Sequence, residues 1–391
     1  MAAAADCSLP WMSRLVFAHN SARQQEQPSR SSTVSFAEQW PAVEQFIQSL
    51  QHRVLPDSVD HWPAAELAEL QQLGADRWNI PAEYGGDELP DAEMMQLYRQ
   101  LARGSLLLTF ILTQRNAACQ RIITSDNTSL AEKLLPRLCR SELFATVGIS
   151  HLTTSRQHLN TPAVQVTSDP ESDGYLMNGI IPWASAASTA DVIVTGGTLQ
   201  DGRQLLAAIP TVRPGLDIQS PVSLLGLGAS HTTAIQLRNV RLAADEILHG
   251  PLEKVMSHGA GGGAGSLGTT AVALGAAEGT LERFQREAEA RPDLLQFITP
   301  LREEAAKLAA DFSAAAAGDT SGKRSAEALR QRANSLVVRS AQSWLAATRG
   351  AGYVCGHAAE QAVRESMFFL VWSCPQPVLE GNLREFTCSG S

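Results

Sequence analysis

The chain has 391 residues, 44% of them hydrophobic and 18% charged, with a net charge of -9. That length supports two or three packed units, and the acidic balance argues against nucleic-acid binding, which needs a basic face. No run approaches the ~20 apolar residues of a membrane span, and six scattered cysteines with no C-x-x-C pair read as reduced thiols of a cytoplasmic protein.

Residues 1–34 read as a disordered leader: an alanine-rich start, a brief apolar stretch from Trp11 to Ala18, then a polar run. Arg14, Arg23 and several serines imitate a mitochondrial presequence, whereas Asp6 and Glu26 argue against one. Residues 35–143 carry a helical pattern. Phe36, Trp40, Val43, Phe46 and Ile47 recur at three- and four-residue steps, as do Ala65, Leu67, Leu70 and Leu73. Gly74 stops that second helix. Further helices are expected from Asp91 to Ala102, Leu106 to Ile123 and Leu130 to Leu138.

At Phe144 the period changes. Short strands are expected at Phe144 to Ile149, Ala163 to Thr167, Tyr175 to Ile181, Asp191 to Thr195, Leu205 to Ile209 and Thr233 to Leu237. Asp173-Gly174 reads as a hairpin turn into the third. Residues 144–251 are therefore expected to form a compact barrel or sandwich. From residue 252 to 391 helix returns, with Ala271 to Ala288, Leu294 to Ala317 and Ser325 to Thr348 rich in strong helix formers. Long helices with short links predict a four-helix bundle followed by a tail. The fold class is α+β.

Four local patterns, in order from about Ser35 to Val378, resemble the acyl-CoA dehydrogenase superfamily. Leu73-Gly74 through Ile80-Pro81 to Gly85-Gly86 resembles its entry segment. Asp173-Gly174-Tyr175 followed by Trp183-Ala184-Ser185 resembles its flavin-contacting hairpin, and Leu225-Gly226 to Ser230 with Leu237 to Val240 its closing strand pair. Arg349-Gly350-Ala351-Gly352-Tyr353, Val363-Arg364-Glu365 and Trp372-Ser373-Cys374-Pro375 resemble its final segment.

The resemblance implies FAD, an acyl-CoA or related substrate, an electron-transfer protein or flavin reductase as redox partner, and a homodimer or homotetramer. It implies cofactor contacts at Ser150, Trp183, Ser185, Arg291, Gly350 and Ala351. Read from the residues alone, Trp183 serves equally as core and the serines as strand ends. Ungapped counting from Gly350 puts Ser373 where the family has its catalytic glutamate and Cys374 on the following glycine. A carboxylate suits abstraction of a proton beside a thioester; a serine alone does not. Cys374, Glu380 seven residues on, or a group of the substrate itself is the candidate substitute. Also departing from the family pattern are His151 to Gln157, where Arg156 and three hydroxyls offer an anion site, and Arg291-Pro292, which lacks a following Phe-Gly.

Other motifs carry less. Gly263 to Gly268 matches G-x-G-x-x-G, but no buried strand precedes it, so it reads as a flexible entry to a helix. Nine histidines show no metal-ligand spacing; His151 and His231 sit in segments able to face a cleft. Glu365, which follows Arg364 where the family has an aspartate, is expected to make a structural ion pair within its helix. Three functions stay open: acyl-thioester dehydrogenation, a monooxygenase or oxidase needing no such base, and a non-catalytic relative that binds or assembles.

Overall fold

The structure, a computed structural model, describes residues 36–155, 161–258 and 266–387. The leader, Arg156 and Gly263 lie outside the described residues. The first part comprises α1 (Phe36–Gln51), α2 (Ala64–Gln72), α3 (Asp91–Gly104), α4 (Leu106–Ile123) and α5 (Thr128–Cys139). The stripe Val43, Phe46, Ile47 and Leu50 of α1 packs on Leu70, Trp78, Met94 and Leu97. Helix α4 is buried around most of its circumference, which is why its sequence is a nearly unbroken apolar run. Ser105 caps it by accepting from Leu108 N at 3.3 Å, and Asn127 caps α5 by accepting from Leu130 N at 3.0 Å.

The middle part is one eight-stranded mixed sheet. Its strands are β1 (Ala145–Gly148), β2 (Val164–Ser168), β3 (Tyr175–Ala184), β4 (Val192–Leu199), β5 (Gln204–Pro210), β6 (Leu216–Ile218), β7 (Thr233–Leu242) and β8 (Ile247–Leu252), with a short helix α6 (Ser150–Thr153) directly after β1. The order is β6-β7-β3-β2-β4-β5-β8, with β1 parallel to β4 and β2 parallel to β4 as well. Met177, Ile181, Ile193, Leu205, Ala207, Ile235 and Leu237 form its core. Two details differ from the sequence expectation. Strands β2 and β3 are joined by a loop over 169–174 rather than by Asp173-Gly174 alone, because the Asp169 carboxylate accepts from Glu171 N and Ser172 Oγ and holds the chain in a wider turn. Strands β6 and β8 were not anticipated: β6 has three residues, and β8 contains Gly250-Pro251, two residues that disguise a strand in sequence.

The last part holds α7 (Leu267–Ala290), α8 (Leu295–Ala316), α9 (Ala326–Gly352), α10 (Ala358–Met367) and α11 (Gln376–Thr387). Leu274, Leu281, Phe312, Leu336 and Val337 share one core cluster with Leu106, Phe110 and Ile111 of α4, so the first helices and the bundle are packed as a single body. The α3–α7 crossing is close. A Cβ at Gly275 would stand 2.0 Å from Arg99 O, and one at Gly279 2.3 Å from Arg103 O. Arg99–Glu278 at 2.5 Å and Arg103–Glu282 at 2.6 Å flank the crossing. Among the described residues no helix is long and apolar enough to cross a membrane.

Candidate functional site

Ser150 opens α6 at the end of β1, and its Oγ is buried with no hydrogen-bond partner among the described residues. A buried hydroxyl left unpaired costs about 1–3 kcal/mol. Its neighbour His151 is buried, with Nε2 2.9 Å from Gly196 O. Burial holds the imidazole below its usual pKa, so the ring is neutral and Nε2 donates to that carbonyl.

Strand β3 delivers the next two residues. Its pairing with β7 shifts register between Ile181 and Ala184, an irregularity that re-aims the side chains it contains. Trp183 within it is 48% exposed, an unusual state for an indole on an interior strand. Ser185, just past the strand, is buried; its Oγ lies 2.7 Å from Thr232 Oγ1, which lies 2.8 Å from Ser230 Oγ. Thr146 Oγ1 donates to Ser185 O at 2.7 Å. The three hydroxyls make a chain in which each oxygen has capacity both to donate and to accept. Thr232 was not singled out from the sequence; its only signal is the hydroxyl-rich run from Ser230 to Thr233.

The turn between α10 and α11 carries Ser373, whose backbone is left-handed at φ 49°. Its hydroxyl makes no hydrogen bond among the described residues. Trp372 beside it stacks on Phe368 at 5.0 Å and meets Phe110 edge-on at 5.4 Å. Beneath the turn lies Arg330 of α9, fully buried, with its guanidinium 5.6 Å from the Phe369 ring centre and 5.7 Å from that of Trp372. Nη2 donates to Trp372 O at 3.0 Å, and Asn334 Nδ2 donates to Phe369 O at 3.0 Å. The Cys374 thiol donates to Phe369 O and Trp372 O, both at 3.4 Å, and burial pushes its pKa up, with Arg330 partly opposing. A protonated thiol bonded to two carbonyls is a poor base and a poor nucleophile.

Two features bring the sheet side and the turn side together. Ala186, Leu227 and Ala229 share a core cluster with Phe369, against which Trp372 packs. Arg364 of α10 donates to Asp57 Oδ2 at 2.6 Å and to Leu225 O at 3.0 Å, while Leu227 N donates to the same Asp57 oxygen at 3.1 Å. Asp57 thereby ties α10 to the segment leading into β7.

The remaining expectations fall elsewhere. Glu365 does not pair with Arg364, because that guanidinium is taken by Asp57 and Glu360; Glu365 accepts instead from Gln361 Nε2 at 2.7 Å. Glu380 accepts from Gln376 Nε2 at 3.0 Å and pairs with Arg384 at 3.6 Å on an exposed face of α11. Arg291 Nη1 donates to Ala347 O at 2.6 Å, and its other edge faces Asp293 at 3.8 Å. Gly350 and Ala351 are exposed, directly after a break in α9 at Arg349 (φ 54°, ψ -144°). His231 packs its ring 5.2 Å from that of Trp62, and its Nδ1 is 3.3 Å from Ser188 Oγ. Among the described residues no cluster of His, Cys, Asp and Glu could hold a metal ion.

An orphaned buried hydroxyl, an exposed indole and a chain of hydroxyls suit a planar, hydrogen-bonding aromatic cofactor such as a flavin. Residues 42–142 match the family model described as Acyl-CoA dehydrogenase, N-terminal domain. The chain is 28% identical over 227 residues to the glutaryl-CoA dehydrogenase of Desulfococcus multivorans, a match covering 56% of this chain and 53% of that one. In sequence, then, the chain spans about half the length of that relative. It is 26% identical over 194 residues to the dibenzothiophene monooxygenase of Rhodococcus erythropolis, covering 48% and 45% of the two chains. In fold it resembles the solved glutaryl-coenzyme A dehydrogenase in complex with glutaryl-CoA, with TM-score 0.74 at 19% identity over 92% of this chain and 98% of that one.

Proposed function

The chain belongs to the acyl-CoA dehydrogenase superfamily, and on that premise we propose that it is a flavin-dependent oxidoreductase working without the family's carboxylate base. When bound, a flavin supplies acceptance of a hydride equivalent and, once reduced, delivery of electrons to oxygen. In this reading Trp183 lies along the ring, the Ser150 hydroxyl donates to the ring edge, and Ser185, oriented by Thr232, bonds near the reacting nitrogen. Trp372, stacked on Phe368 and braced by Phe110, excludes water on the turn side.

One observation carries the choice of chemistry. Ungapped counting from Gly350 assigns Ser373 to the position of the family's base, and the nearest carboxylates in sequence are engaged elsewhere: Glu365 with Gln361, Glu380 with Gln376 and Arg384. Without a base for the proton beside a thioester, a reaction in which the reduced cofactor meets oxygen is the better fit, as a monooxygenase or oxidase. The similarity to a dibenzothiophene monooxygenase supports it. A second reading, hydride transfer from an acyl thioester such as an acyl-CoA, is favoured by the similarity to a glutaryl-CoA dehydrogenase; its base would come from the substrate.

For the cofactor we propose FAD. FMN is the alternative, since Arg291, the residue expected to meet a pyrophosphate, is engaged by Ala347 O and lacks the following Phe-Gly. A flavin reductase is the redox partner in the first reading and an electron-transfer protein in the second, and the assembly is a homodimer or homotetramer in a cytoplasmic setting.

Anaerobic mixing decides between the readings. The first predicts that no acyl-CoA in a chain-length series bleaches the bound flavin, whereas a flavin reductase with NADH does. It also predicts that Ser373→Glu stays inert toward every thioester. Bleaching of the unaltered protein by an acyl-CoA, or a gain of tenfold or more in Ser373→Glu, a step of about 1.4 kcal/mol in barrier, establishes the second reading instead.

A further inference from the structure

Three buried hydroxyls stand in line at the end of β3. Ser185 Oγ lies 2.7 Å from Thr232 Oγ1, which lies 2.8 Å from Ser230 Oγ, and none of the three oxygens makes another hydrogen bond among the described residues. The two ends of the line differ. Ser230 has no exposed surface, and its surroundings are apolar: Leu227 and Ala229 beside it, and Ala186, whose N–H donates to Ser230 O at 2.8 Å, belong to the core. Ser185 keeps 5% exposure and lies two residues past the half-exposed Trp183.

Counting protons gives the line a direction. Three hydroxyls carry three protons, and the two contacts use two of them. If every hydroxyl donates inward, the spare proton sits on Ser230, in the core, with no acceptor among the described residues. If Thr232 accepts from both serines, its own proton is stranded between them. Each of these patterns buries a donor without a partner, which is costly. The remaining pattern runs outward, from Ser230 to Thr232 to Ser185. It leaves the spare proton on Ser185, the end that an outside acceptor can reach.

We propose that Thr232 is a positioning residue that locks the Ser185 hydroxyl as a hydrogen-bond donor, and that this lowers the midpoint potential of the flavin held there. The inference rests on the flavin reading. The reacting ring nitrogen is an acceptor in an oxidised flavin and carries a proton, as a donor, in a reduced one. A hydroxyl locked as a donor pairs with the first and opposes the second, so the oxidised form is favoured. With valine at position 232 the shape is kept and the lock is gone. Ser185 then turns freely and accepts from the reduced ring as readily as it donates to the oxidised one.

The test is a reductive titration against a reference dye at constant pH, on protein loaded with FAD, or with FMN where FAD is not retained. Thr232→Val should move the oxidised-to-reduced balance about tenfold toward the reduced form, a rise of about 30 mV in midpoint potential for a two-electron couple. Ser185→Ala should raise it in the same direction. Thr232→Ser, which restores the hydroxyl without the methyl group, should return the wild-type potential. A threonine that only packs predicts no shift in any variant at position 232. Circular dichroism checks folding, and Thr232→Ala is read instead if the valine variant does not fold. An unchanged or lowered potential in the flavin-loaded valine or alanine variant, or an equal shift in Thr232→Ser, overturns the assignment and leaves the flavin reading standing. A wild-type protein that takes up neither flavin overturns both.

Discussion

The Ser150 hydroxyl is buried without a partner at the head of α6, and that single atom allows a sharp test. Replacing it with alanine removes an unsatisfied group from the flavin-free protein. Ser150→Ala should therefore leave flavin-free stability unchanged or slightly raised, by up to about 1 kcal/mol. If the hydroxyl donates to the flavin, the same change should weaken flavin retention about five- to tenfold, the worth of one hydrogen bond. Equilibrium unfolding and flavin titration measure the two effects, and a fall in stability with unchanged flavin affinity would mark Ser150 as purely structural. This residue, with Trp183 and Ser185, was singled out in the sequence by the family resemblance, and the flavin contacts of all three belong to the proposal. Arg330 was not. Within α9 it looks like any arginine of a charged helix, and only packing shows it buried beneath the Ser373 turn with aromatic rings as neighbours. The ion pair expected for Glu365 within its helix is not formed, because Arg364 is taken by Asp57 and Glu360 and Glu365 accepts from Gln361 instead.

At the scale of elements, the long helices follow their apolar periods closely, since their hydrophobic faces are wide and their caps are ordinary polar residues. The weak points were short strands, whose few residues carry no period. The α3–α7 crossing shows what composition conceals. Gly275 and Gly279 resemble tolerated helical glycines, but each marks a point where backbone meets backbone. Gly275→Ala would set its methyl 2.0 Å from Arg99 O, so the two helices must separate. The expected cost is about 1–3 kcal/mol, visible as a lowered melting temperature and a weakened Arg99–Glu278 bridge. An alanine variant as stable as the wild type would mean that the crossing is looser than described.

For the whole molecule, Asp57 is the junction. It joins the loop after α1 to Arg364 of α10 and to the backbone at Leu227, and its side chain is 5% exposed. Asp57→Ala removes the ion pair with Arg364 and the acceptor of two backbone N–H groups, Leu227 and Ala229, so stability should fall by about 2–4 kcal/mol while Glu360 continues to hold Arg364. Loss of flavin retention in the folded variant would further show that the clamp sets the position of α10 against the sheet. The order of helices, sheet and bundle was legible from the sequence, whereas this clamp, joining residues 307 positions apart, has no local signature. The most direct test of the account is the visible spectrum of the freshly purified protein, followed by mass analysis of whatever flavin is released on denaturation. The account predicts flavin absorption bands and about one flavin per chain, either as isolated or after adding FAD or FMN; a colourless protein that takes up neither would contradict it.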